Sequence, residues 1–267
     1  MGLLDFKNTL QQVKKDLLEK PKDALLGNRD KEEKPITFRK EIKVICIDPG
    51  HGDKCLLEKE LGDRALDVGT FRNYGGEIYY EKDLVLPISL ALKNELENLG
   101  YEVIITRKED KVVNDIKYVW RLKEAKNCDL FISIHIDARG ASEQDCKDGL
   151  LILYFSGSFT VKNIQDNKEN GQVIPTSAKQ LSLKEQSGTL ADFIINNQIV
   201  RTLFKNPKRA ATNNVLRNFG GIASVIVEIG NIDCSEDLSL LMGDSELIGK
   251  DIAKGIHSYA LDYKQKD

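Results

Sequence analysis

Hydrophobic residues along the chain fall into two patterns, short apolar runs and longer segments with helical spacing. The runs at 44–47, 101–106, 130–134, 150–155 and 222–228 are rich in β-branched or aromatic residues and predict strands, of which 44–47 and 130–134 are expected to be buried. Apolar residues three and four positions apart predict helices over 84–99, 113–126, 190–204 and 245–263. This alternation predicts a single α/β domain in which a mostly parallel, twisted sheet is flanked by helices.

The first forty residues follow a different pattern. Apolar positions up to about residue 20 predict a short amphipathic helix that Pro21 ends. Residues 22–40 are mostly charged, as is typical of a solvated linker. We therefore divide the chain into an N-terminal helix and linker, 1–40, and a domain, 41–267, with a polar insertion at about 156–187. The extension is interpreted as a flexible spacer, and the alternative is a docking or autoinhibitory helix.

Composition excludes several classes of protein. A formal net charge of −3 and a pI near 5.8 leave no basic excess for nucleic-acid binding. No run of apolar residues is long enough to span a membrane, and the first residues lack the pattern of a secretion signal. Five cysteines without C-x-x-C spacing argue against a thiolate metal site. We expect a monomer without a transmembrane segment.

Three residues with metal or acid–base chemistry follow predicted strands: His51, His135 and Glu228. Because parallel strands place their carboxyl ends along one edge of the sheet, we expect these side chains to converge on one crevice. The third of the three histidines, His257, lies within the closing helix and is interpreted as a surface or packing residue.

Two imidazoles and one carboxylate, with one open position, form a common ligand set of catalytic zinc. Glu81 is the expected third ligand because it opens a helix after the loop that leaves His51. The alternative is an acid that the helix dipole favours at that position. Glu228 then remains to accept a proton from the attacking water. Its alternative role is a buried acid paired with Arg217 or another base.

Seven short motifs occur along the chain in a familiar order. They are 48–52 (DPGHG), 81–83 (EKD), 106–107 (TR), Arg121 with Ala125, 131–135 (FISIH), 215–217 (VLR) and 227–230 (VEIG). From about residue 42 to 263 the chain resembles the zinc-dependent N-acetylmuramoyl-L-alanine amidases, which are bacterial peptidoglycan hydrolases. The resemblance implies hydrolysis of the amide bond between N-acetylmuramic acid and L-alanine. It implies one Zn²⁺ held by His51, Glu81 and His135, with Glu228 as the catalytic acid–base.

The resemblance has further implications for substrate, regulation and location. Arg217 and Asn231 are predicted to contact the peptidoglycan substrate. The insertion at 156–187 is interpreted as a surface loop, and the alternative is a lid from which Glu169 or Glu185 reaches the metal until an activator protein displaces it. The family implies an extracytoplasmic location, in the periplasm or cell wall, with an export route that the sequence does not specify.

The motifs depart from the family pattern in three places: Asp53 replaces a second glycine, Ile136-Asp137 replaces Ala-Asn, and Gly230-Asn231 replaces Gly-Phe. The departures affect the expected substrate contacts but none of the four residues assigned to the zinc site and catalysis. Two alternative functions follow from the same residues. One is a zinc carboxypeptidase-like peptidase, and the other is a catalytically inactive regulator that binds the cell wall.

Overall fold

The computed structural model describes residues 41–52, 68–109, 127–138, 149–157, 176–197, 207–211, 215–216 and 222–265, all within one compact unit, Arg39–Asp267. The strands are β1 (Val44–Pro49), β2 (Phe71–Tyr74), β3 (Glu77–Tyr80), β4 (Glu102–Ile105), β5 (Leu130–Asp137), β6 (Leu151–Phe155), β7 (Lys208–Ala211) and β8 (Ala223–Asn231). The helices are α1 (Glu81–Asn98), α2 (Ser177–Asn196), α3 (Ser235–Gly243) and α4 (Ser245–Gln265). The predicted N-terminal helix and linker, 1–40, lie outside the described residues.

Six strands form the main sheet in the order β4-β1-β5-β8-β6-β7. Neighbouring strands are parallel except for β6 and β8, which run antiparallel. The predicted α/β fold with a mostly parallel sheet is therefore confirmed. Strands β2 and β3 pair antiparallel in a separate hairpin. The carboxyl ends of β4, β1, β5 and β8 lie along one edge, because all four strands run in the same direction.

The main hydrophobic core lies between one face of the sheet and the helices α1, α2 and α4. Alternate residues of the central strands are fully or almost fully buried there, including Ile45 and Ile47 of β1, Ile132 and Ile134 of β5, and Val225 and Val227 of β8. On the opposite face, Cys46 and Phe131 pack into a second buried cluster. Burial on both faces explains why these strands appear in the sequence as continuous apolar runs. Among the described residues, no helix is long and apolar enough to cross a membrane.

Helices α1 and α4 agree closely with their predicted extents. Gly100 follows the C-cap of α1 in a left-handed conformation (φ 92°), and its N–H donates to the carbonyl of Glu97. This is the helix ending that the glycine predicted. Helix α4 extends to Gln265, two residues beyond the predicted end.

Other boundaries differ from the predictions. Strands β5 and β8 continue past the predicted ends at 134 and 228, so His135 and Glu228 lie inside their strands. Helix α2 begins at Ser177, where Thr176 Oγ1 accepts a hydrogen bond from the Lys179 N–H, rather than at 190. The last part of the predicted insertion at 156–187 is therefore helical. It was predicted as insertion because α2 begins with a largely polar stretch. Residues 113–126 lie outside the described part of the chain.

Candidate metal centre at the carboxyl edge of the sheet

His51 lies two residues beyond the end of β1, in a turn that presses the backbone against β5. The Gly50 N–H donates to the Ile134 carbonyl at 2.8 Å. A Cβ at position 50 would lie 2.5 Å from Cε1 of His135, so the turn requires glycine on steric grounds. His51 itself has φ 60°, a left-handed conformation that is strained for a residue with a side chain. Such strain is typical of functional sites.

Glu81 is the first residue of α1, and its buried carboxylate is surrounded by donors. Oε1 accepts hydrogen bonds from the Ile136 N–H and from Nδ1 of His135, both at 3.0 Å. Oε2 accepts from the Thr70 N–H at 3.0 Å and lies 3.2 Å from Nε2 of His51. Burial alone would raise the pKa of Glu81, but the hydrogen bonds from the two imidazoles outweigh it and hold this pKa well below its usual range.

The structure brings together three of the residues that the sequence singled out. One ligand atom from each of His51, Glu81 and His135 lies within 4.8 Å of the other two. The imidazole rings meet edge to face, with centroids 4.9 Å apart. A Cβ at Gly69, which has φ 70°, would lie 2.5 Å from Oε2 of Glu81 and 2.6 Å from Cδ2 of His51. Two nitrogen donors and one carboxylate, closely packed at a sheet edge, fit a divalent transition metal.

Glu228 lies on β8 directly beside His135 of β5, since the two residues pair in register. No hydrogen-bond donor among the described residues contacts its carboxylate. Burial raises the pKa of Glu228 to about 7; the charges of Glu81 and Asp137 add to this shift, and those of His135 and His51 oppose it. Glu228 is therefore a carboxyl group that can exchange a proton near neutral pH.

Two other predicted site residues that the structure describes, Asn231 and Glu185, are not part of this group. Asn231 ends β8, where its Oδ1 accepts from the Asp233 N–H at 2.9 Å and fixes the following turn. Glu185 lies on the exposed side of α2. Arg217 and Glu169 lie outside the described residues. His257 pairs with the hydroxyl of Tyr101 through Nδ1 at 2.8 Å, in line with its predicted packing role.

Buried polar residues next to the site carry hydrogen bonds that the sequence did not reveal. Asp48 is fully buried in β1 and accepts from Oγ1 of Thr106 at 2.6 Å and from Oγ of Ser133 at 3.0 Å. Three adjacent strands are thereby joined just below the histidines. The available signal was an acidic residue at the end of an apolar run, together with a hydroxyl residue directly after β4 and another within β5.

The sequence matches the model of one protein family, Amidase_3, described as N-acetylmuramoyl-L-alanine amidase, over residues 45–258. The chain is 32% identical to the N-acetylmuramoyl-L-alanine amidase AmiC of Neisseria meningitidis over 142 residues, 51% of this chain and 30% of that protein. It is 27% identical to AmiC of Escherichia coli over 240 residues, 82% of this chain and 53% of that protein. The chain thus spans about half, or less, of the length of these relatives.

Solved structures share the fold. The amidase AmiC2 of Nostoc punctiforme superposes with a TM-score of 0.55 at 26% identity, covering 84% of this chain and 97% of the other. The CwlD amidase of Clostridioides difficile, solved in complex with the GerS lipoprotein, gives a TM-score of 0.55 at 23% identity, covering 82% of this chain and 99% of the other. Because the family model covers most of the chain, from β1 into α4, this protein belongs to the Amidase_3 family of N-acetylmuramoyl-L-alanine amidases.

Proposed function

We propose that this protein hydrolyses the amide bond between N-acetylmuramic acid and L-alanine in peptidoglycan. One observation carries the proposal: in a chain of this family, His51, Glu81 and His135 converge within 4.8 Å, and Glu228 pairs in register with His135. The group combines a ligand set with a neighbouring carboxyl group whose pKa is shifted to about 7, so that it can both accept and donate a proton near neutral pH.

The proposed cofactor is a single zinc ion held by His51, Glu81 and His135. Two imidazole nitrogens and one carboxylate suit zinc better than magnesium or calcium, which prefer oxygen ligands alone. When bound, zinc supplies a Lewis acid that acidifies water and polarises a carbonyl. The N–H groups of Thr70 and Ile136 hold the Glu81 carboxylate in place toward this site.

Glu228 is the proposed acid–base. Its carboxylate takes a proton from the water that attacks the amide carbon, and its carboxylic acid then returns that proton to the leaving nitrogen of L-alanine. A pKa raised to about 7 suits both halves of this transfer, because a group of lower pKa would be a weaker base.

The broader biological setting is also part of the proposal. We propose residues 41–267 as the catalytic domain and 1–40 as an extension that links or docks it. Because peptidoglycan lies outside the cytoplasmic membrane, the expected site of action is the periplasm or cell wall. Arg217 and Asn231 remain predicted substrate contacts, and Glu169 and Glu185 remain predicted lid residues. The lipoprotein complex of CwlD supports proposing an activating protein partner for this chain as well.

Product analysis tests this function. Zinc-loaded protein is incubated with purified peptidoglycan, and the released fragments are analysed by mass spectrometry. We expect glycan strands with unsubstituted muramic acid together with free stem peptides that begin with L-alanine. His51→Ala, which removes one ligand, should give neither zinc binding nor these products. Release of a single C-terminal amino acid would instead favour a peptidase, and intact peptidoglycan would favour a wall-binding regulator.

A further inference from the structure

We propose that Arg107 is a positioning residue that holds His51 and Glu81 in the geometry needed to bind one metal ion. This inference rests on the proposed metal site. Arg107 follows β4 at the carboxyl edge of the sheet, and only 4% of its surface is exposed. It belongs to the Thr106-Arg107 motif, to which the proposed chemistry assigns no task.

The guanidinium of Arg107 connects the backbone just before His51 with the first turn of α1, which carries Glu81. Nε donates to the Pro49 carbonyl at 3.2 Å, and Nη2 donates to the Gly50 carbonyl at 2.9 Å. Nη2 also donates to the Lys82 carbonyl at 2.8 Å. Gly50 immediately precedes His51, and Lys82 immediately follows Glu81. One side chain therefore fixes the backbone next to both ligands.

This link acts at the two places where the ligand geometry is most demanding. His51 has a strained left-handed backbone, so its turn needs external hydrogen bonds to persist. Tyr80, the N-cap residue of α1, makes no side-chain capping hydrogen bond, so the helix start at Glu81 is held by contacts from other segments, among them the backbone hydrogen bond from the Glu81 N–H to the Thr70 carbonyl at 2.8 Å. Arg107 supplies contacts to both segments from a third segment, directly after β4.

Arginine suits this task for geometric reasons. Its planar guanidinium directs several N–H groups along fixed directions, so it can reach carbonyl groups of two separate segments at once. Lysine keeps the positive charge but concentrates its donors on one flexible ammonium group. Arg107→Lys should therefore preserve the charge and lose the link, and Arg107→Gln should lose both.

The test measures zinc binding separately from folding. Zinc affinity is measured by competition with a chromophoric chelator, and the stability of the metal-free protein by urea unfolding. We expect Arg107→Lys to fold and to bind zinc about 10- to 100-fold more weakly than the wild type. In the Co²⁺-substituted protein, the visible absorption bands should shift, because they report ligand geometry. Ile256→Val, a buried substitution on α4, serves as the control with lowered stability and an unchanged site.

Each outcome separates this inference from the proposed function. Zinc affinity and Co²⁺ bands equal to those of the wild type in Arg107→Lys and Arg107→Gln would overturn the positioning role. So would failure of both variants to fold without metal, since Arg107 would then hold the fold rather than the ligands. An equal loss of zinc affinity in Ile256→Val would overturn it too. If the wild type binds zinc but leaves peptidoglycan intact, the proposed function fails and the positioning role still stands.

Discussion

Glu81 and Glu228 are both carboxylates at the carboxyl edge of the same sheet, yet their surroundings shift their pKa values in opposite directions. Four donors surround Glu81, two from backbone N–H groups and two from imidazoles. None among the described residues contacts the Glu228 carboxylate, which is half-buried beside His135. At Glu81 the hydrogen-bond donors outweigh the effect of burial on the pKa, so the carboxylate stays ionised. At Glu228 burial acts without such donors and raises the pKa to about 7. The density of donors therefore distinguishes a carboxylate suited to hold a cation from one suited to carry a proton.

The largest expected effect comes from removing the charge of the donor-rich carboxylate. Glu81→Gln should lose stoichiometric zinc and, with it, all peptidoglycan hydrolysis, because a neutral amide is a poor zinc ligand. Elemental analysis of the purified protein measures the zinc content. Glu97→Gln, an exposed substitution on the same helix, is the matched control and should retain both. Full zinc occupancy in Glu81→Gln would contradict the assignment of Glu81 as a ligand.

The same change at the other carboxylate should separate zinc binding from catalysis. Glu228→Gln is expected to bind zinc as the wild type does and to hydrolyse peptidoglycan about 10²- to 10⁴-fold more slowly. The physical reason is that the amide cannot accept a proton from the attacking water. Zinc content and initial hydrolysis rates are measured on the same preparation. Near-normal rates in this variant would remove Glu228 from the mechanism.

A smaller effect on zinc binding is expected from a substitution that crowds the Glu81 carboxylate. Gly69→Ala would place a methyl group against Glu81 and His51, so zinc affinity should fall along with stability. Gly75→Ala is a close control: Gly75 has φ 64° against 70° for Gly69, but a Cβ there meets nothing within 4 Å. The left-handed backbone should cost both variants about 1–2 kcal/mol of unfolding free energy, measured by urea unfolding. Only Gly69→Ala should also lose zinc affinity in a chelator competition, and an equal loss in both would point to backbone strain alone.

The last expected effect concerns only the metal-free protein, whose stability should depend on pH. The pKa of Glu228 rises from 4.5 to about 7 on folding, so the folded state binds the extra proton between these values. The stability that this group contributes is present below its unfolded pKa and is lost as pH rises through about 7. Relative to Glu228→Gln, the wild type should lose about 1–3 kcal/mol of unfolding free energy between about pH 5 and pH 8. A difference between the two proteins that does not change with pH would contradict the raised pKa.

The sequence predicted the parts of the fold that follow from strong periodicity. Strands β1, β5 and β8 are buried on both faces, so their apolar runs were visible, and parallel strands necessarily bring His51, His135 and Glu228 to one edge. The hairpin β2–β3 escaped prediction because its strands are only four residues long and largely exposed. That hairpin is preceded by Thr70, whose N–H donates to the Glu81 carboxylate, and by Gly69, where an added Cβ would clash with that carboxylate.

Other features depend on contacts between segments far apart in the chain. The contrast between Glu81 and Glu228 could not be predicted, because it depends on which backbone N–H groups face each carboxylate. The bridging contacts of Arg107 likewise depend on tertiary packing at the end of β4. The prediction missed the first turns of helix α2 because they carry few apolar residues. Thr176, which caps the helix, was the available signal for its true start.

The central claim is that Glu81 binds the metal and Glu228 does not. A crystal structure of the zinc-loaded protein, with anomalous diffraction recorded at the zinc absorption edge, tests it most directly. We expect one anomalous peak within bonding distance of His51, Glu81 and His135, with the carboxyl group of Glu228 facing the ion without ligating it. A peak ligated by Glu228 in place of Glu81, or no peak among these residues, would contradict the account.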